Sequence, residues 1–436
     1  MLCPNCRTEI PGNASACPEC GTGVDAVETG AEAHRPDGGA RRHRSVAAAI
    51  AVALAGALIV AACIHAGVST GAARALKEYD PARDARSFDE ATDGGWTMPS
   101  DGPLTAVLYA DGDLVFQYGD STAPGREVAE KWVSSEADAS DLFQGQHAVF
   151  DGFESVWVRD DRIASVSSRC RVEAPSSLTG AFYECTSLTD ISGLASWDTS
   201  SATDMSYMFS YCSSLADISG LASWDTSSVA HMGHMFRDCA SLADAAALDS
   251  WDVSSVRSMS YMFSGCASLT NLAGLSAWGL SSARDMNAMF SRCSSLADIS
   301  GLASWDTSSA TDMSYMFSDC SSLADLSPLA SWGTSSAEDM GGMFFDCTSL
   351  SSASALSSWD TSSVRRMGSM FSGCASLTDI SGLASWDVSS VTIMESMFSR
   401  CASLHDAAAL DAWDTSSANH TDDMFYDCPA TLPAWY

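Results

Sequence analysis

From Cys185 to Cys428 a cysteine falls every 27 residues, at 185, 212, 239, 266, 293, 320, 347, 374, 401 and 428, with no insertion between them. Phe182 to Phe425, Trp197 to Trp413 and Met205 to Met394 keep the same step. A fixed period of this length restricts a chain to a solenoid, a propeller or an array, and a propeller blade needs about forty residues. A solenoid is therefore expected. One unit offers roughly five large apolar side chains, each worth about 1.5–3 kcal/mol when buried. Ordering its backbone costs on the order of 1–2 kcal/mol per residue. A lone unit cannot fold, so neighbours must share hydrogen bonds and core along the stack. With strands about 4.8 Å apart, the stack spans on the order of 45 Å.

Within a unit such as Met208–Val229, Ser214-Leu215-Ala216-Asp217-Ile218 is short and bounded by polar residues, which suits a brief parallel strand. Val229, Met232, Met235, Phe236 and Cys239 recur in the array at spacings of three and four, which suits a helical turn facing the core. Asp225-Thr226-Ser227-Ser228 before it supplies capping oxygens. Trp224 and Gly220-Leu221 are expected to fill the corner between them.

The pattern Ile-x-Gly-Leu-x-x-Trp-Asp-Thr-Ser-Ser-Val-x-x-Met-Ser-x-Met-Phe-x-x-Cys-x-Ser-Leu closely resembles the BspA-like leucine-rich-repeat surface proteins of bacteria. It covers residues 171–428. The resemblance implies a leucine-rich-repeat-like fold, a cell-surface location and adhesion to host cells or matrix. One departure is plain: Leu215-x-x-Ile218-x-x-Leu221 is a residue longer than the usual Leu-x-x-Leu-x-Leu strand, which leaves the strand register open.

The columns invite chemical readings, each with a structural rival. Stacked parallel side chains keep Cβ atoms near 4.8 Å, beyond the usual 3.5–4.5 Å of a disulfide, so the cysteine column is expected to be free thiols. The Met and Trp columns are expected to be core. Asp217 has copies at Asp190, Asp244, Asp298, Asp325, Asp379 and Asp406, broken by Asn271 and Ser352; Asp225 recurs similarly, broken by Gly279 and Gly333. Stacked carboxylates repel unless solvated, hydrogen-bonded or bridged by cations. Turn capping is the expected role, and Ca²⁺ bridging lacks the glycine turns of calcium-binding repeats. His231 and His234 are expected to be exposed polar variation, with no third ligand for a metal. Between the two Met columns stand Tyr207, His234, Tyr261, Ala288, Tyr315, Gly342, Ser369 and Ser396. Variation on a fixed frame marks a place for a binding surface, and drift would look the same.

Ahead of the repeats the chain changes character. Cys3-Pro4-Asn5-Cys6 and Cys17-Pro18-Glu19-Cys20 are two Cys-x-x-Cys turns able to close four thiolates around a structural Zn²⁺. They resemble the short zinc ribbons at the N-termini of many bacterial membrane proteins, with Arg7 where Gly is usual. Residues 25–45 read as a linker, and 46–68 are almost wholly apolar, interrupted by Cys63 and His65. About twenty such residues cross a bilayer, so one transmembrane helix is expected. Val60-Ala61-Ala62-Cys63 looks like a lipoprotein box, and cleavage among residues 66–73 would release the rest, but a signal anchor is preferred. Arginines flank both ends of the span, so charge gives little orientation. Thiolate ligands prefer a reducing compartment, which places the N-terminus in the cytoplasm and the solenoid outside.

The expected organisation is a zinc ribbon at 1–24, the linker at 25–45, the membrane helix at 46–68 and a spacer at 69–95. A small α/β cap follows at 96–170, then the solenoid at 171–436. In the cap, Leu104–Tyr109 and Leu114–Tyr118 read as a hairpin around Asp111-Gly112, Glu127–Phe143 as a helix, and Ser155–Cys170 as two strands. Cys170 and Leu178 stand in the Trp and Met columns, as expected where a cap meets the array; Leu432 and Trp435 are candidates to close its far end.

With 55 acidic against 22 basic residues and a net charge of −33, the surface disfavours nucleic acid. No phosphate loop, nucleophile elbow or pocket of paired carboxylates is present, so an enzyme is not expected. The expectation is an anchored adhesin that binds an extracellular protein or glycan. The alternative is a receptor whose zinc ribbon relays binding to a cytoplasmic protein.

Overall fold

The way identical units satisfy one another shows in the hydrogen bonds of a single rung. In the computed structural model, which describes residues 104–118, 122–123, 125–133, 148–150, 153–156 and 161–436, alternate amides of Met205–Cys212 do different work. Those of Met205, Tyr207, Phe209 and Tyr211 donate to the carbonyls of His231, Gly233, Met235 and Arg237, one rung on, at 2.6–2.9 Å. Those of Met208, Ser210 and Cys212 donate three residues back within the rung, at 3.0–3.3 Å, and that of Ser206 donates to the Asp204 carboxylate. Every backbone donor of the segment finds a partner, half of them in the neighbour, which is the accounting a buried segment needs.

This segment is not the helical turn its spacing suggests. The alternation requires left-handed backbone at two points per rung, Tyr207 (φ 60°) and Tyr211 (φ 64°), repeated at His234 and Asp238 and onward to Asp423 and Asp427. A helix would send each amide four residues back and leave none for the next rung. No α-helix occurs among the described residues. A parallel column of single-residue bridges runs beside the segment, from Ser177 through Asp204, His231 and Ser258 to His420.

The expected strand at Leu215–Ile218 is also reduced. Bridges in that region are isolated, as at Asn271↔Asp298 and Ser352↔Asp379. The chain turns at once into a 3₁₀ turn, Ser219–Leu221, whose Leu221 amide donates to Ile218 at 3.0 Å. Gly220 lies so close to the Ile191 carbonyl of the preceding rung that a Cβ there would collide with it.

The side chains stack as the columns imply. Phe182 through Phe425 bury their rings with stacked centroids 5.4–5.9 Å apart in successive pairs. From Trp224 to Trp413 the indoles donate to the carbonyl of the Leu thirty residues earlier, for example Trp278 to Leu248 at 3.0 Å. The cysteines at 185–401 are buried and all are free thiols, Cys170 and Cys428 being half-buried. Cys293 Sγ sits 3.2 Å from the Phe263 carbonyl, and burial pushes its pKa up to about 12. These thiols are inert core atoms.

The cap differs from expectation in its middle. β1 (Leu104–Tyr109) and β2 (Asp113–Tyr118) form the expected hairpin, Gly112 taking φ 88° in the turn. β3 (Val128–Val133), where a helix was expected, pairs antiparallel with β1. The exposed edge of the hairpin offers that stretch a full set of backbone partners, which outweighs its helical composition. β4 (Ala148–Phe150) pairs with β5 (Phe153–Val156), and β6 (Ser165–Ser168) pairs parallel with β2, giving the order β3-β1-β2-β6. The described part of the cap is thus all β rather than α/β. β6 also begins the array: the Val166 amide donates to Asp190 at 2.8 Å, and Phe116 meets Trp197 edge-on at 5.1 Å. β7 (Val172–Glu173) pairs with β8 (Trp197–Asp198) in parallel, continuing the join.

At the far end Trp435 stacks on Trp413 at 6.3 Å and donates to Leu410, closing the Trp column. Leu432, also a candidate, stays exposed.

Candidate functional site

What an outward column can do depends on what its neighbours leave unsatisfied, and the acidic columns leave little. Asp217 Oδ1 accepts the Ser219 amide at 2.8 Å, opening the 3₁₀ turn. Asn271 and Ser352, which interrupt the column, accept the corresponding amides of Ala273 and Ser354. Asp225 Oδ1 accepts both the amide and the hydroxyl of Ser227, at 3.1 and 2.6 Å. The equivalent Asp306 is held below the usual carboxylate range by the Ser308 hydroxyl and then by its amide. These carboxylates cap turns.

The two left-handed columns carry the variation. The first runs Tyr207, His234, Tyr261, Ala288, Tyr315, Gly342, Ser369 and Ser396, all at φ between 52° and 61°. The second runs Tyr211, Asp238, Gly265, Arg292, Asp319, Asp346, Gly373 and Arg400. In the second column Arg292 reaches Asp238 at 3.2 Å, and Arg400 approaches Asp346 at 3.8 Å, each over an intervening glycine. A Cβ on Gly265 or Gly373 would collide with the carboxylate beneath it. Between the columns lies a third, mostly buried serine (Ser264, Ser318, Ser372), in which Arg237 and Phe345 are exceptions.

One stretch of this face is unlike the rest. Tyr207, His234 and Tyr261 stack face to face, with centroids 4.4 and 4.7 Å apart. The Arg237 guanidinium lies between the Tyr211 and Tyr261 rings, 5.5 and 5.4 Å from their centroids. Its Nε donates to Asp238 at 3.2 Å, and its Nη1 is 3.5 Å from His234 Nδ1. Tyr183 meets Tyr211 edge-on at 5.6 Å. Burial first, and the Arg237 charge second, lower the His234 pKa to about 4, so the ring is neutral near pH 7.

His231 and His234 do not converge. His231 is exposed in the bridge column, and His234 is half-buried in the aromatic stack. Among the described residues no group of three or more His, Cys, Asp or Glu could hold a metal ion. Cys3, Cys6, Cys17 and Cys20, and the apolar stretch 46–68, lie outside the described residues. No helix among the described residues is long and apolar enough to cross a membrane. The sequence alone singled out the first column but not Arg237, Tyr211 or the third column. The signal was there, because a lone arginine replaces the serine that most rungs carry at that register.

The frame is that of a known family. The model of the family described as "Mycoplasma protein of unknown function, DUF285" matches residues 176–300, 267–354 and 324–433, which together exceed half of the chain. The chain belongs to this family. The DUF285 match covers the rungs that carry the Tyr207–Tyr261 stack as well as those beyond it. No curated protein matches the chain. Solved structures similar to this DUF285 chain include a leucine rich cell surface protein from Faecalibacterium prausnitzii A2-165, 18% identical, with 78% of this chain and 95% of that one covered and a TM-score of 0.31. A leucine-rich repeat protein from Eubacterium ventriosum ATCC 27560 is 11% identical, with 78% and 96% covered and a TM-score of 0.30.

Proposed function

We propose that this chain is a membrane-anchored, BspA-like surface protein that binds ligands on host or neighbouring cells through its solenoid. In this reading Cys3, Cys6, Cys17 and Cys20 hold a structural Zn²⁺ in the cytoplasm, residues 46–68 cross the membrane, and the solenoid stands outside. The observation that carries it is the contrast between frame and surface. Core columns of Phe, Trp, Leu and Cys persist rung after rung, whereas the left-handed columns change from Tyr207 to Gly342 to Arg400 on the same backbone. A stack whose backbone bonds are independent of these side chains can vary them at little cost to folding. Tyr and Arg, the types enriched where proteins bind partners, gather at Tyr183, Tyr207, Tyr211, Arg237 and Tyr261.

Two experiments test this. Protease shaving of intact cells carrying the full chain is expected to release peptides from beyond residue 90, and protected repeats would contradict the outside placement. Such cells are also expected to adhere to host or neighbouring-cell layers, and to lose adhesion when Tyr207, His234 and Tyr261 are each changed to Ser. Undiminished adhesion by the triple variant would remove this face from the account. The zinc ribbon motif also supports a receptor reading. Deleting residues 1–24 separates the two, since adhesion then persists whereas signalling is lost.

A further inference from the structure

The patch around Arg237 sets guanidinium, phenol and imidazole groups beside two carboxylates, Asp238 and Glu184. Asp238 lies between two guanidiniums, accepting from Arg237 Nε at 3.2 Å and Arg292 Nη2 at 3.2 Å. Arg237 Nη1 faces His234, and Nη2 has no acceptor among the described residues. The neighbouring phenols stay protonated: burial first, then the charge of Glu184, raise Tyr183 to about 12, its hydroxyl being hydrogen-bonded to that carboxylate, and burial raises Tyr207. A guanidinium with unused donors, held between aromatic rings, is suited to a planar carboxylate.

The backbone narrows the ligand further. Along Met205–Tyr211 every outward amide already donates to the next rung, so an extended peptide has no free edge to join as a strand. Recognition here must come from side chains. Phenol hydroxyls, an imidazole and a guanidinium side by side match the hydroxyls and carboxylate of a sugar acid better than a peptide backbone.

Building on the reading of this face as the binding surface, we propose that Arg237, flanked by Tyr211, Tyr261 and Arg292, receives the carboxylate of an acidic sugar at the end of a glycan. Side chains of the first column, Tyr207 and His234, contact its hydroxyls. The whole chain carries a net charge of −33, but at 0.15 M salt charges beyond about 8 Å are largely screened, and the local pair dominates.

The repeat supplies substitutions that spare the fold. Serine occupies the Arg237 register at Ser264, Ser318 and Ser372, so Arg237→Ser leaves a rung of a kind already present. Saturation-transfer NMR on the full chain at 0.15 M salt, with glucuronate as probe, is expected to show saturable binding. Glucose is expected to give no signal, and Arg237→Ser to weaken glucuronate at least tenfold. Arg365→Ser, in another column, is expected to leave it unchanged. Equal binding by Arg237→Ser, equal signals from glucose, displacement by sulfate as effective as glucuronate itself, or no glucuronate binding at all would each overturn the proposal. If glucuronate fails while the triple serine variant still loses adhesion, the binding face stands and the acidic sugar falls. If that variant keeps adhesion, the face itself falls.

Discussion

Rungs 207–261 and rungs 342–396 share a backbone but not a surface. In both, the residue between the two methionines is left-handed, at φ 60°, 61° and 57° for Tyr207, His234 and Tyr261 and at 59°, 57° and 56° for Gly342, Ser369 and Ser396. In both, the amide of that residue donates to the next rung, Tyr207 to Gly233 at 2.9 Å and Ser369 to Glu395 at 2.8 Å. Yet the first set builds an aromatic stack around a guanidinium, whereas the second presents small residues in this column, the Arg400 guanidinium beside it lying 5.7 Å from the Phe345 ring. The difference teaches that the fold is carried by the buried columns and the alternating backbone bonds, and that the outward columns are free to specify a ligand.

The comparison can be broken at the core, where both regions must depend on the same columns. Trp278 lies between them, fully buried, stacked 6.2 Å from Trp305 and bonded to the Leu248 carbonyl. Trp278→Ala is expected to cost about 3–5 kcal/mol, read as a fall in the denaturant midpoint of the full chain. A midpoint that did not move would mean the rungs do not rely on their neighbours.

The left-handed columns give a smaller effect. Ser369→Val places a β-branched residue at φ 57° and is expected to cost on the order of 1 kcal/mol by the same measurement, since branching adds to the crowding that the Ser369 Cβ already meets there. Stability equal to the parent would show that the alternating turns are not what the backbone adopts.

The smallest effect sharpens the contrast through pH. The folded pKa of His234 is about 4, below the ordinary value near 6.5, so the unfolded chain takes up its proton first as the pH falls. Stability therefore declines from about pH 6.5 to pH 4 and then levels off for this group. The capping aspartates, held below their usual range, add their loss only at lower pH. His234→Ser is expected to flatten the midpoint between pH 6.5 and 4, while Ser369→Ala leaves its slope unchanged. An unaltered slope in His234→Ser would remove the buried, neutral ring from the account.

Much of this frame was legible because a repeat writes each contact many times. The thiol column, the Met, Phe and Trp core, the capping role of Asp217 and Asp225, and the hairpin around Gly112 all follow from residue type and register. The turn at Met205–Cys212 did not, since a spacing of three and four fits a helix and an alternating ribbon equally well. What decides between them is the neighbouring rung, which accepts every second amide, and a linear sequence does not display that partner. The left-handed positions were hidden for a related reason: Tyr207, Asp238 and Arg400 carry no glycine signal, and stacking holds them there. β3 misled because pairing with β1 overrides its composition. Of the site, the varying column was visible, but Arg237 took its meaning only when Tyr211 and Tyr261 were seen on either side.

Moving the surface along the frame tests the separation most directly. In a chain whose Tyr207, His234, Tyr261 and Arg237 are all serine, the aromatic stack and its guanidinium can be rebuilt five rungs on by Gly342→Tyr, Ser369→His, Ser396→Tyr, Ser372→Arg and Asp346→Tyr. Adhesion of cells carrying this chain is expected to return to the parent level, with the chain still folded cooperatively and its stability lower by roughly 1–2 kcal/mol for the glycine lost at φ 59°. A folded chain that stays non-adherent, or one that no longer folds, would contradict the claim that frame and binding surface are separable.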